Sequence, residues 1–246
     1  MAKQKGMIPF VGTMGGINFY YLNGTPVARR AGGGFNGKAI QTKASMQRVR
    51  ENASEFGQCS RVNKVFRRAL SSFYIGHRFT YLHSRVLGLF TQLKHLDSLH
   101  ARGQRRVAVG VKTLEGTQLL KQFCFTPDCD VRRMLPFQFN MDADTFVLTL
   151  KGFDITRVGF VAGATHIKLS YGVLDFNFET LAFGLHLASP MILGTEALVP
   201  PIILTPESLP KGVGMPLGVL AIRFYQKTAD GLYELQTQDA VGFMLV

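Results

Sequence analysis

The chain has 246 residues, 46% of them hydrophobic and 18% charged, with 20 Phe and no Trp. That balance excludes a disordered chain, and no uninterrupted apolar run approaches the ~18 residues of a membrane-spanning helix. The net charge of +12 is unevenly placed: residues 1–106 hold 18 bases against Glu51, Glu55 and Asp97, a sum of +15, whereas residues 107–246 hold 10 bases and 13 acids, a sum of −3.

The first 30 residues read as strands, one over 7–11 and a second over 16–22 carrying Phe19, Tyr20 and Tyr21. Asn23-Gly24 follows, a dipeptide with easy access to positive φ that suits a two-residue hairpin turn, and residues 25–30 form the returning strand. The glycines at 32, 33, 34 and 37 then make a loop. From Thr42 the period changes: Met46, Val49, Ala53, Phe56, Cys59, Val62, Phe66, Ala69 and Phe73 recur every three or four residues, as one face of a helix does. Thr42 or Ser45 supplies its N-cap oxygen, and Gly57 marks a weak middle or bend. Leu82, Val86, Leu89, Leu93 and Leu96 stripe a second helix, with Gly103 as its C-cap.

Beyond Gly103 the spacing turns to short apolar runs of period two, over 119–125, 137–141, 145–150, 165–171, 176–187, 217–226, 232–238 and 241–246. Asp230-Gly231 is a second hairpin signal, and the prolines at 200, 201, 206, 210 and 216 suit a long surface connection. Evenly spaced strands without helices between them predict an antiparallel β-sandwich-like domain. The expected fold is therefore α+β: a basic hairpin-plus-helices region over 1–106, then an antiparallel β domain over 107–246.

Little in the sequence has the spacing that chemistry requires. Gly32 to Ala39 fits G-x-x-x-x-G-K, but Ala39 stands where a hydroxyl must hold Mg²⁺, so a plain glycine loop is the simpler reading. His95 and His100 are five apart and lie on different helix faces, and Cys124 and Cys129 have no second pair, so no metal site is expected. Asp142/Asp144 and Asp128/Asp130 flank strands, where Asp is a good turn residue. His166 opens a strand and reads as structural. No nucleophile has an identifiable partner; no catalytic residue and no cofactor is assigned, and the protein is expected not to be an enzyme. Cys59, Cys124 and Cys129, with no secretory pattern, read as reduced thiols of a cytoplasmic protein.

The N-terminal residues Met1-Ala2-Lys3-Gln4-Lys5-Gly6, then Gly12-Thr13 with Phe19-Tyr20, then Gln47-Arg48, Arg50-Glu51-Asn52 and Glu55-Phe56-Gly57, resemble an uncharacterised family of Bacteroidetes-type bacterial proteins. The resemblance covers the first ~75 residues well and the β region only through residues 163–166 and the final hairpin. It carries no activity, and it implies a bacterial protein made without a secretion signal.

Two functions compete. In the first, the chain is a structural subunit that self-assembles into a filament, tube or phage-like particle, its partners being copies of itself. Phe10, Phe19, Tyr20 and Tyr21 are the candidate assembly interface, because a hairpin that small needs a surface to pack on. In the alternative, Arg29, Arg30, Arg48, Arg50, Arg61, Lys64, Arg67, Arg68, Arg105 and Arg106 form a basic face over 29–106 for nucleic acid or an acidic protein surface. A membrane partner is not expected.

Overall fold

The computed structural model describes residues 2–4, 6, 9–32, 37–197, 201–212 and 214–246. The chain divides into two compact units, Met1–Asn52 and Ala53–Val246, so the change of charge at 106/107 falls inside the second.

In the first unit, strands β1 (Ala2–Lys3), β2 (Gly12–Met14), β3 (Ile17–Leu22) and β4 (Thr25–Arg30) form an antiparallel sheet in the order β1-β4-β3-β2. Asn23 and Gly24 both have positive φ, 49° and 76°, as a two-residue hairpin turn demands. The strand expected over 7–11 lies in part outside the described residues, and 9–11 are not in a strand. Of the glycine loop, residues 33–36 lie outside the described residues. After it come a short helix α1 (Gly37–Thr42) and a 3₁₀ turn (Ala44–Met46), which lead into α2 (Gln47–Ala69). Thr42 is not an N-cap: its hydroxyl donates back to the Lys38 carbonyl. Nor does Gly57 break α2, which is one continuous helix.

In the second unit, α3 (Leu82–His95) packs on α2 through Cys59, Val62, Phe66, Val86, Leu89, Phe90 and Leu93. The sequence places Phe56 on this apolar face, yet its ring is 58% exposed and Glu55 is buried in its place. Gly103 is not a C-cap either; α3 ends at His95, and Gly103 lies in the following loop with φ 94°. The helical period does not stop there. Helices α4 (Val107–Gly110), α5 (Leu114–Gln122) and α6 (Val131–Met134) follow, so the strand expected over 119–125 is largely helix. Thr113 caps α5 by accepting from the Gly116 N–H, and this cap outweighs the β-like run that follows it.

The strands from here are β5 (Gln138–Met141), β6 (Leu148–Lys151), β7 (His166–Phe176), β8 (Phe183–Leu187), β9 (Met191–Gly194), β10 (Ile202–Leu204), β11 (Met215–Thr228), β12 (Gly231–Glu234) and β13 (Val241–Leu245). The run over 176–187 is split: β7 ends at Phe176, and a turn precedes β8. The proline-rich segment is more than a surface connection, because β10 pairs with β6 and buries Ile202 and Leu204.

Two long strands organise this unit. Strands β7 and β11 pair from Met215↔Phe176 to Tyr225↔His166. Strands β12 and β13 lie along the far edge of β11, and β8 and β9 along the far edge of β7. A separate sheet of order β10-β6-β5 faces this one. Side chains alternate across a strand, and here both faces are covered. Leu174, Phe176, Leu217, Val219, Phe243 and Leu245 meet the helices. Ile167, Leu169, Tyr171, Val173, Leu220, Ile222 and Phe224 meet the smaller sheet. The unit is thus helices on sheet on sheet, the α+β class expected. Phe supplies the packing on the helical side: Phe66 lies 5.3 Å from Phe90 and 5.2 Å from Phe176, both edge-on, a geometry aromatic pairs favour.

Candidate functional site

The N-terminal sheet leaves several large apolar side chains exposed. Register puts Ile17, Phe19 and Tyr21 of β3 on one face, with Met14 of β2 and Ala28 of β4 beside them. The Phe10 ring adds to that face, 5.9 Å from Phe19. The side chains of this face are largely exposed, Met14 at 63%, Phe10 at 56% and Tyr21 at 49%, with Phe19 half-buried among them. The opposite face holds Tyr20, with the Arg29 guanidinium 5.5 Å from its ring centre, and Val27, the one buried residue of this unit among those described. The four aromatic residues expected at an assembly surface therefore divide between two faces, Phe10, Phe19 and Tyr21 together and Tyr20 behind them.

The ten basic candidates do not form one free surface. Arg48 pairs with Glu51 at 3.0 Å. Arg50 donates to the carbonyls of Ile40 and Lys43, and Arg67 to Asn63. Arg105 is spent on Glu55, at 2.8 Å from Nε and 2.9 Å from Nη2. Arg68 lies over the Phe183 ring at 5.7 Å. Arg29, Arg30, Arg61, Lys64 and Arg106 remain exposed. Arg61 comes from the outer face of α2, and it lines a cavity together with Arg106 from the end of the loop after α3.

Sequence reading missed an ionic cluster beneath α2. Glu55 accepts from Lys94, from Arg105 and from the Gly103 N–H, so α2, α3 and the loop after it meet on one carboxylate. The Arg105 guanidinium, against the opposing effect of burial and with help from Lys94, holds this carboxyl well below the usual carboxylate range. Asp97 is also buried; burial raises its pKa, but N–H donors of Arg106, Leu99 and His100 and the His100 ring outweigh that and lower it. A signal for Glu55 was present: it stands four residues before Cys59 and seven before Val62, in step with the buried stripe. These contacts tie helices together and leave the carboxylates saturated, as a structural cluster requires.

No family model, curated protein or solved structure matches the chain. The remaining polar groups are read from their surroundings. Among the described residues no group of three His, Cys, Asp or Glu is placed to hold a metal ion, and no helix is long and apolar enough to cross a membrane. His166 bonds Thr165, and His83 bonds Asn63. Asp142 and Asp154 accept N–H groups within their own turns, and Asp130 caps α6. Cys59 and Cys129 are buried, and burial pushes the Cys129 thiol up to about 12, far from a reactive thiolate.

Proposed function

We propose that this protein is a non-enzymatic structural subunit that self-assembles, through its N-terminal sheet, into a homo-oligomeric filament, tube or phage-like particle. The observation that carries the reading is the apolar face of Phe10, Met14, Ile17, Phe19 and Tyr21, four of them exposed and Phe19 half-buried, in a unit with one buried residue among those described. A small sheet with so little core needs a further surface to be stable, and edge strands such as β2 offer unpaired backbone to a neighbouring strand. The unit is also strongly basic, eight bases against Glu51 over residues 1–52, while residues 107–246 carry a net −3. The second unit as a whole is net +5, so charge attraction between copies is confined to its acidic stretch over 107–246. The competing reading, an extended nucleic-acid face over 29–106, is weakened because Arg48, Arg50, Arg67 and Arg105 are engaged within the chain.

Light scattering and negative-stain microscopy of the purified chain test this. Wild-type protein is expected to form large regular particles without nucleic acid, and Phe10→Ser with Tyr21→Ser is expected to leave folded monomers. A wild-type chain that stays monomeric at every concentration overturns the reading.

A further inference from the structure

Arg61 and Arg106, 45 residues apart in sequence, line one cavity of about 140 Å³ with Gln58, Val62, Ala108 and Phe178. Both side chains are exposed, and neither guanidinium has a hydrogen-bond or ion-pair partner among the described residues. This sets them apart from Arg48, Arg67 and Arg105, each satisfied within the fold. Two guanidinium groups lining one concavity, with only solvent as partner, offer planar forks of N–H donors of the kind that bind an oxyanion through several contacts at once. The volume holds a few water molecules, and so accommodates one tetrahedral anion rather than a length of polymer.

A second cavity of about 290 Å³ shares Ala108, Phe178 and Glu179 with the first and is walled by Val111, Phe176 and Met215 together with the polar Lys112 and Asn177. Apolar walls with a few charged and polar groups among them are the usual composition of a small-molecule site, and Lys112 adds a third cation beside the two arginines. We infer that the paired cavities bind a phosphomonoester: the phosphate between Arg61 and Arg106, and an apolar or aromatic group against Phe178 and Met215. Glu179, on the wall between the two, is the one acid lining either cavity, and its charge opposes the anion. This site does not depend on the assembly surface, which lies in the other unit.

Calorimetric titration of the full chain with phenyl phosphate, inorganic phosphate and phenol tests the inference. Phenyl phosphate is expected to bind more tightly than either fragment. Arg61→Gln and Arg106→Gln are each expected to weaken it about tenfold, the loss of a charge-assisted contact, and Glu179→Gln to tighten it. Lys64→Gln, one turn along the same helix but outside the cavity, is expected to change affinity less than about twofold. Circular dichroism melts of the same variants confirm that each is folded; the altered side chains are exposed and unpaired. Phenyl phosphate that does not bind, or affinity that falls equally in Arg61→Gln, Arg106→Gln and Lys64→Gln, overturns the site. Competition distinguishes the source of the phosphate. Displacement by a 5′-phosphorylated oligonucleotide alone assigns the group to a strand end, and resistance to both forms assigns it to a free small molecule. Displacement by the unphosphorylated strand overturns the proposal in favour of backbone binding.

Discussion

Glu55 occupies a position that helical spacing otherwise reserves for a hydrocarbon, and it is 1% exposed. Lys94, its partner from α3, is 6% exposed, so removing the carboxylate strands a buried ammonium. Glu55→Gln is therefore expected to cost about 3–5 kcal/mol in urea unfolding. Adding Lys94→Met is expected to recover part of that loss, since Arg105 at the rim turns to solvent more easily. The same carboxylate gives the fold a pH dependence. In the unfolded chain a Glu titrates at about 4.3, and folding holds Glu55 well below that range. Its contribution is thus complete above the unfolded value and is lost as pH falls below it. Melting temperature is expected to drop steeply below about pH 4.3 in the wild type and less steeply in Glu55→Gln. Equal slopes would place the acid sensitivity elsewhere.

At the scale of elements, two glycines carry opposite expectations. Gly110 of α4 sits against α3 so closely that an added Cβ would lie 1.8 Å from the Leu93 carbonyl oxygen. Gly110→Ala must push the two helices apart, and a loss of about 3 kcal/mol is expected, the upper end for overpacking. Gly57 stands on the exposed side of α2 with open space around it, so Gly57→Ala is expected to gain about 0.5–1 kcal/mol from helix propensity alone. Thermal melts of the pair check both signs. Such elements were unequally legible. The Asn23-Gly24 hairpin, α2, α3 and the runs that became β7, β11 and β13 followed from local spacing, because each repeats its pattern over enough residues. Helix α5 did not, since its nine residues hold too few turns for the period to separate from a strand, and the deciding Thr113 cap is a single residue. The Arg61–Arg106 cavity has no local signature at all; only the fold brings the two together. Glu55 was visible in the sequence as an acid in step with an apolar stripe, but its partners were not.

For the whole chain, the uneven charge is the property most open to solution measurement. Residues 1–52 carry eight bases and one acid, and residues 107–246 a net −3. If these sequences meet between copies, raising sodium chloride from about 0.05 to about 0.5 M shortens the screening length to a few ångströms and is expected to slow assembly measured by light scattering. An assembly rate indifferent to salt would assign association to the apolar face alone. The central sheet has a different consequence, one of timing during synthesis. Strand β13 is buried along all five residues and pairs with β11 between Val241 and Leu245, so the core stays incomplete until the chain beyond residue 240 has been made. At about 5–20 residues per second, the stretch from the end of β4 to β13 takes roughly 10–40 s to emerge. The growing chain therefore presents its apolar N-terminal sheet first and closes its core last. If the proposed assembly runs through that sheet, neighbouring nascent chains on crowded polysomes have that interval in which to meet before either has finished folding.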